Sequence, residues 1–322
     1  MDALSAILRH APVRGSLFSR AELAAPWGVE THGSSAAIFH VVLHGSGWLR
    51  VDGGPPRSFR AGDLLLMAHG HPHVLSDAPD GAATWIQKLP TTHEHGLPCV
   101  RVEGPGAHTS ILCGSFRFSE EAHQLVRPQL PPVLLVQGGA GATAAWLDQT
   151  LRLMADEVDG RRPGSELLLA RLADILFVQI LRSWLEQQPQ AGGWLGALSD
   201  PALGRALDLM HRRPGSPWTA EDLAKKAGLS RTAFYERFQT AVGQSPASYL
   251  ATWRMTLARK TLRETSLPMI EVAGRVGYGS EAAFSRAFKR VVGQSPSAWR
   301  RAQKVAAKPS PSTSSSSASA SM

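Results

Sequence analysis

The feature that most constrains the fold of this chain is an internal repeat of about fifty residues near its C-terminal end. Two phenylalanines and a Gly-Gln-Ser-Pro run of the first copy recur in the second. The matching pairs are Phe234 with Phe284, Phe238 with Phe288, and residues 243–246 with residues 293–296. Upstream, Leu223 corresponds to Val272 at a spacing of 49, so the second copy has one extra residue in its turn. The repeat predicts two copies of one small structural unit.

Each copy has the pattern of a helix, a glycine-containing turn and a second helix. The first helices are predicted at 219–227 and 268–276, and the second helices begin after the N-cap residues Ser230 and Ser280. The paired phenylalanines of each second helix face the core, which leaves its other residues free to enter a DNA major groove. A helix at 248–264 is predicted to space the two copies.

The repeat lies in a basic region, whereas the rest of the chain is slightly acidic. Residues 1–200 contain 15 Lys and Arg against 19 Asp and Glu, and residues 201–303 contain 17 against 7. Lysine and arginine displace the counterions condensed on phosphates, so a local basic excess favours nucleic-acid binding. A basic surface that only confers solubility is the alternative.

Residues 201–303 resemble the DNA-binding domain of the AraC/XylS family of transcription regulators. The resemblance is carried by GLSRTAFYERFQTAVGQSP, by the spacer WRMTLARKTL and by VAGRVGYGSEAAFSRAFKRVVGQSPSAWR. It implies two recognition helices in successive major grooves of double-stranded promoter DNA, about 34 Å apart, with RNA polymerase as a further partner. By position in the motif it assigns DNA contacts to Arg231, Thr232, Tyr235, Glu236, Ser280, Glu281, Ala282, Ser285, Arg286, Lys289 and Arg290.

These residue types suit base reading, since Arg pairs with guanine, Glu accepts from cytosine N4, and Ala or Thr contacts the thymine methyl. Lys289 and Arg290 are expected nearer the phosphates. Arg254 of the spacer matches a family arginine that is expected to be structural.

The N-terminal part is predicted to be a small antiparallel β-barrel or sandwich, because residues 36–135 alternate short apolar runs with turn residues. Residues 36–78 resemble a cupin barrel, which implies a domain that senses an effector. The fold class is therefore α+β, with a cupin-like domain at 1–140, a helical linker and dimerisation segment at 141–198, the tandem helix-turn-helix domain at 199–303 and a disordered tail at 304–322.

Eleven of the twelve histidines precede residue 201, which raises the question of a metal site. Imidazoles suit Fe, Mn, Ni or Zn, and the best candidate ligands for a metal or an effector are His40, His44 and His73. Residues four apart on a strand share a face, so His40 and His44 are expected together. Metal-binding cupins also supply a Glu that is missing here, so no cofactor is required by the sequence and a bound metal stays open.

Cys99 and Cys113 are the only cysteines, and a structural disulfide is not expected. They would respond to oxidants if their pKa values were depressed, and inert buried cysteines are the alternative.

Two helical stripes follow the barrel. The first contains Trp146, Leu147, Thr150, Leu151 and Met154, and the second contains Leu167, Leu168, Leu172, Ile175, Leu176, Gln179, Ile180 and Leu185. They carry more apolar surface than a small barrel can cover, so one stripe packs either against a second subunit or within the chain.

The sequence thus predicts a regulator that couples an effector or stress signal to promoter binding, and not an enzyme. No apolar run is long enough to span a bilayer and no signal peptide is visible, so a cytoplasmic location without membrane contact is expected. Two rivals are a metal-dependent cupin enzyme fused to a DNA-binding module, and a DNA-binding protein whose barrel only dimerises.

Overall fold

The computed structural model describes residues 2–94, 97–138, 142–160, 162–188 and 191–306. The chain divides into two compact units, with the main boundary between Leu207 and Asp208; the short stretch Thr240–Gly243 is grouped with the first unit. Most of the predicted tail at 304–322 lies outside the described residues.

The first unit begins with helix α1 (Ala3–His10) and continues mainly as strands. Its strands are β1 Val13–Ala24, β2 Gly28–Thr31, β3 Ala37–His44, β4 Ser46–Val51, β5 Arg57–Arg60, β6 Leu64–Met67, β7 His73–Ser76, β8 Thr84–Trp85, β9 Thr91–Glu94, β10 Leu97–Val102, β11 His108–Phe118 and β12 Val133–Val136. Short 3₁₀ helices occur at Ile86–Lys88 and Arg127–Gln129, and the later helices are α2 Glu120–Leu125, α3 Ala142–Gly160, α4 Ser165–Gln187 and α5 Gly193–Ala197. Helix α6 (Pro201–Arg212) spans the division between the units.

The strands form two facing sheets. One has seven strands in the order β12-β6-β3-β11-β1-β10-β9, and the other has five in the order β5-β4-β7-β2-β8. The sheets are mixed, because β1 pairs in parallel with β10 and β2 pairs in parallel with β8. The prediction of a small antiparallel barrel or sandwich was therefore wrong in those two pairings.

Strand β1 was not predicted, although it lies inside the larger sheet. A register shift between Leu17 and Ser19 interrupts its pairing with β11 and breaks the alternation of buried and exposed residues. Helix α4 covers part of its outer face, so both faces are partly buried and the period-two pattern is lost.

The core of this unit lies between the two sheets. It includes Trp27, Val42, Leu65 and Ile111, all at most 3% exposed. Aliphatic and aromatic side chains from both sheets fill the interior in the way expected of a small barrel.

Helix α4 packs on the outer face of the seven-stranded sheet. A Cβ on Gly15 would overlap the Cβ of Ala173, so only glycine permits this approach. The amide of Gly15 donates to Oδ1 of Asp174 at 2.9 Å, and the rings of Phe116 and Phe177 lie 5.0 Å apart.

The two predicted helical stripes are only partly buried. Leu147 and Met154 are fully buried, whereas Trp146 is 67% exposed because one residue along a helix turns the side chain by about 100°. In α4, Leu167, Leu168 and Ile175 are also exposed.

In the part that the structure describes, the second unit continues from α6 as helices. They are α7 Ala220–Ala227, α8 Arg231–Val242, α9 Pro246–Glu264, α10 Met269–Arg275, α11 Glu281–Val292 and α12 Pro296–Ala306. Both predicted helix-turn-helix copies are confirmed in these helices. The spacer α9 begins two residues earlier than predicted, because Ser245 caps it and Pro246 occupies its first turn.

Candidate nucleic-acid interface and sensor core

The second helix of each repeat begins at a serine cap. The amide of Ala233 donates to Oγ of Ser230 and the amide of Ala283 donates to Oγ of Ser280, both at 3.2 Å. Such caps satisfy amides that have no partner within the helix. This capping role explains why position 280 is a serine. Ser280 was also predicted to contact DNA.

Helices α8 and α11 each have a buried aromatic face and an exposed polar face. Phe234, Phe238, Phe284 and Phe288 are fully buried. The exposed residues include all predicted DNA contacts except Ser285, which is half-buried; they are Arg231, Thr232, Tyr235, Glu236, Ser280, Glu281, Ala282, Arg286, Lys289 and Arg290. The structure thus leaves these side chains available to a groove.

Arg254 of the spacer holds the segment between α6 and α7, which packs against the turn before α11. Its Nε donates to the carbonyl of Pro214 at 2.7 Å, and its Nη2 donates to the carbonyl of Ser216 at 2.8 Å. Gly277 in that turn has φ +81°, and a Cβ there would lie 2.6 Å from the carbonyl oxygen of Gly215. Arg254 is therefore structural, as predicted.

Two of the predicted histidines meet inside the barrel. Nε2 of His40 lies 2.8 Å from Nε2 of His73, and Nδ1 of His40 lies 3.0 Å from Sγ of Cys113. Burial lowers the pKa of both imidazoles, and the neighbouring His73 adds to the effect on the pKa of His40. Both rings are therefore neutral near pH 7.

One set of tautomers provides a donor and an acceptor for each hydrogen bond along the line of polar groups from Cys113 through His40 to His73. The thiol of Cys113 donates to Nδ1 of His40, the Nε2–H of His40 donates to Nε2 of His73, and the Nδ1–H of His73 donates to the carbonyl of His71 at 3.0 Å. Oγ1 of Thr31 lies 3.0 Å from Nδ1 of His73. Thr31 was missed in the sequence, since 42 residues separate it from His73.

His44 does not join this line, contrary to the sequence expectation. Val42 pairs with Ile111 but His44 pairs with Ser110, so β3 has one extra residue at this point. Such a bulge turns the following side chain to the other face of the sheet. His44 is exposed there, with its ring centroid 6.2 Å from that of His108.

The donors in the barrel do not fit a metal ion. Cys113 approaches Nδ1 of His40 while His73 approaches Nε2, so the three donors point to different places. Across the described ranges, no three His, Cys, Asp or Glu side chains form a metal-binding group. The arrangement instead satisfies buried polar groups within the core.

The two cysteines are poorly placed for redox sensing. Ser19 pairs with Cys113 and Arg20 pairs with Cys99, so the thiols lie on opposite faces of the sheet and on strands about 10 Å apart. Burial raises the pKa of Cys113 to about 12. The condition for oxidant sensing, a depressed pKa, is therefore not met at Cys113.

A second polar cluster, missed in the sequence, joins β1, β11 and the end of α3. Oε2 of Glu22 lies 2.9 Å from Nε2 of His108, and Oγ of Ser110 donates to Oε1 of the same carboxylate at 2.9 Å. Arg20 also pairs with Glu22 and reaches Asp159 at 2.7 Å. The pairing of β1 with β11 and the position of α3 beside β1 bring these distant residues together.

Comparison with known proteins agrees with this architecture. Residues 2–186 match the family described as Cupin, and residues 223–302 match the family described as Helix-turn-helix domain. The chain is 34% identical over 308 residues to a putative AraC-like transcription regulator of Streptomyces antibioticus, which covers 94% of this chain and 99% of that protein. The chain belongs to the AraC family of transcription regulators.

A second relative of this AraC-family regulator is the transcriptional regulator AlkR of Acinetobacter baylyi, 31% identical over 94% of this chain and 99% of that protein. A solved structure, the DNA-binding domain of AdpA in complex with a target DNA, is 31% identical over 34% of this chain and 96% of that one, with a TM-score of 0.32. The full-length relatives are named as regulators, which identifies a DNA-binding regulator rather than an enzyme. Among the helices that the structure describes, none is both long and apolar enough to cross a bilayer.

Proposed function

We propose that this AraC-family regulator reads its promoter through the exposed faces of α8 and α11 and reports a signal received by the cupin unit. The observation that carries the DNA part is the repeat itself, in which the same buried phenylalanines orient two equivalent polar helix faces. Arg286 is the residue most suited to reading guanine, since it is exposed and its guanidinium has a bidentate donor pattern.

Replacing Arg286 by alanine is expected to weaken binding to the target site by about 1–3 kcal/mol, the typical value for a lost base contact. The target site is first identified by selection from random DNA with the unmodified protein. Affinities for that site and for random DNA are then compared by fluorescence anisotropy at fixed salt.

Arg301→Ala is the matched control, because it removes an exposed arginine from α12, outside the recognition helices. We expect it to weaken binding to both DNAs equally. Unchanged discrimination in the Arg286 variant would contradict the assignment of Arg286 to base reading.

We also propose that the regulator is a homodimer joined through α3 and α4. Trp146 and Leu153 lie seven residues apart on one face of α3, and they are 67% and 56% exposed. Leu168 and Ile175 repeat this spacing in α4 and are about half exposed. Such apolar surfaces are commonly covered by a partner, and symmetric dimers are the commonest oligomers.

The double substitution Leu153→Glu and Ile175→Glu is expected to convert the dimer to a monomer, because each charge would be buried without a partner. Sedimentation equilibrium gives the molecular mass directly. Ile270→Glu is the control, since Ile270 is similarly exposed but belongs to the other unit. A double variant with the mass of the unmodified protein would refute this interface.

The signal that reaches the cupin unit is proposed to be a small effector, and the bound regulator is proposed to engage RNA polymerase in the cytoplasm. The supporting observation is the pairing of a cupin domain with a DNA-binding domain in this chain, whose full-length relatives are named as regulators. Promoter occupancy that stays constant with every metabolite and oxidant added would instead favour a barrel that only dimerises.

A further inference from the structure

A cleft in the first unit has the size of a small-molecule site. Its volume is about 850 Å³, and it lies on the outer side of the seven-stranded sheet. Its walls come from β1, from the edge strand β9 and its neighbour β10, and from the end of α3 and the start of α4. Ligand sites in proteins commonly have volumes of about 300–1,000 Å³.

The cleft opens beside a close approach of α4 to the sheet. Gly15 contacts Ala173 there, and Asp174 accepts the amide of Gly15. Ala170 and Leu169, which are cleft residues, precede that contact by three and four residues, near one helical turn. On the sheet side, the bulge in β1 leaves Phe18 40% exposed at the cleft.

The walls combine apolar surface with carboxylates. Leu17, Phe18, Leu97, Pro98, Val158 and Leu169 supply the apolar part. Glu157 is a buried carboxylate whose side chain is 7% exposed, and it accepts hydrogen bonds from Nη2 of Arg162 at 2.7 Å and from Oγ of Ser165 at 2.5 Å. Glu166 is an exposed second carboxylate in the first turn of α4.

These charges favour a cation over an anion. Among the described lining residues, the guanidinium of Arg162 is already paired with Glu157, and the ionisable groups outside that pair are the carboxylate of Glu166 and the imidazole of His93. The exposed ring of Phe18 offers a face to a positive group. An apolar ligand body would meanwhile cover Leu17 and Leu97.

We propose that this cleft, and not the interior of the barrel, is the effector site, and that it takes a cationic amphiphile with an alkyl or aryl body and an ammonium head. The proposal rests on the proposed function for its regulatory meaning. The barrel interior is occupied by the core side chains and by the line from Cys113 to His73. The cleft, by contrast, borders the helix pair assigned to the dimer interface.

The proposal is tested with decyltrimethylammonium at concentrations below micelle formation. Decyl sulfate and decyl maltoside serve as anionic and neutral probes with the same chain. Calorimetric titration of the full chain is expected to give one site per chain, with decyltrimethylammonium bound about two- to fivefold more tightly than either control, the range for an exposed charge pair. Circular dichroism checks that the protein stays folded.

Two variants locate the site. Glu166→Gln is expected to weaken binding of the ammonium probe by about two- to fivefold, and the matched Glu103→Gln, which removes an exposed carboxylate away from the cleft, is expected to leave it unchanged. Ala170→Phe fills the cleft and is expected to abolish binding of the ammonium probe.

Equal affinity for the three probes, or binding unaffected by Glu166→Gln, would overturn the cation assignment. Binding that survives Ala170→Phe would overturn the location. Promoter affinity of the unliganded protein is measured in parallel. If the unmodified protein binds its promoter specifically but does not bind the ammonium probe, only this inference is refuted. If the unmodified protein shows no specific promoter binding, the proposed function is refuted.

Discussion

Replacing Phe284 by alanine is expected to lower the free energy of unfolding of the second unit by about 3–5 kcal/mol, the usual cost of removing a buried aromatic side chain. Phe284 is fully buried in a core that also contains Phe288 and Trp299. Its ring is 5.9 Å from that of Tyr278 in the preceding turn. The loss should therefore loosen α11 against α9 and reduce specific DNA binding as well.

Hydrogen exchange resolved by peptide suits this measurement, because it reports each unit of the chain separately. Faster exchange is expected in α10 and α11, with no change in the strands of the first unit. Tyr235→Ala is the matched control, since Tyr235 is 47% exposed. Exchange in the Phe284 variant that equals exchange in this control would refute the role of Phe284 in the core.

Acidification from pH 7.5 to pH 5.5 is expected to destabilise the cupin unit by up to about 3 kcal/mol through His40 and His73. Both pKa values are lowered, mainly by burial. The unfolded chain binds protons on these residues near pH 6.5, while the folded chain binds them only at lower pH. Stability is therefore full above pH 6.5 and falls as the pH drops below it.

The pH effect is measured as the change in hydrogen exchange of peptides from β3 and β7 between the two pH values, after correction for the intrinsic exchange rate. The double variant His40→Gln and His73→Gln should lose most of this pH dependence, whatever its own stability. His44→Gln should keep it, because His44 is exposed. An unchanged pH dependence in the double variant would show that other groups cause it.

Much of the second unit was predictable because its determinants are local. Ser280 caps α11, Gly277 takes a positive φ that favours glycine, and Phe284 and Phe288 lie four residues apart on one face. Each signal falls within one or two helical turns. The repeat then supplied an internal confirmation, since the same signals recur in α7 and α8.

Less of the first unit was predictable because its determinants are long-range. The bulge that separates His44 from His40 depends on the register of β3 against β11, and the strand period of two could not reveal it. The pairing of β1 with β10 likewise joins residues about eighty positions apart. The cleft beside α4 depends on where α4 meets Gly15, and that contact has no signature in either segment alone.

The sequence by itself determined the tandem helix-turn-helix, the buried phenylalanines and the polar faces of α8 and α11. Helical periodicity and caps are short-range properties, so the amino-acid sequence alone is sufficient to predict them. Only the tertiary structure decided that His40 meets Cys113 and His73, that the thiols lie on opposite faces of the sheet, and that a carboxylate-lined cleft opens beside α4. Those features depend on strand register and helix packing, which are fixed by contacts between residues far apart in the chain.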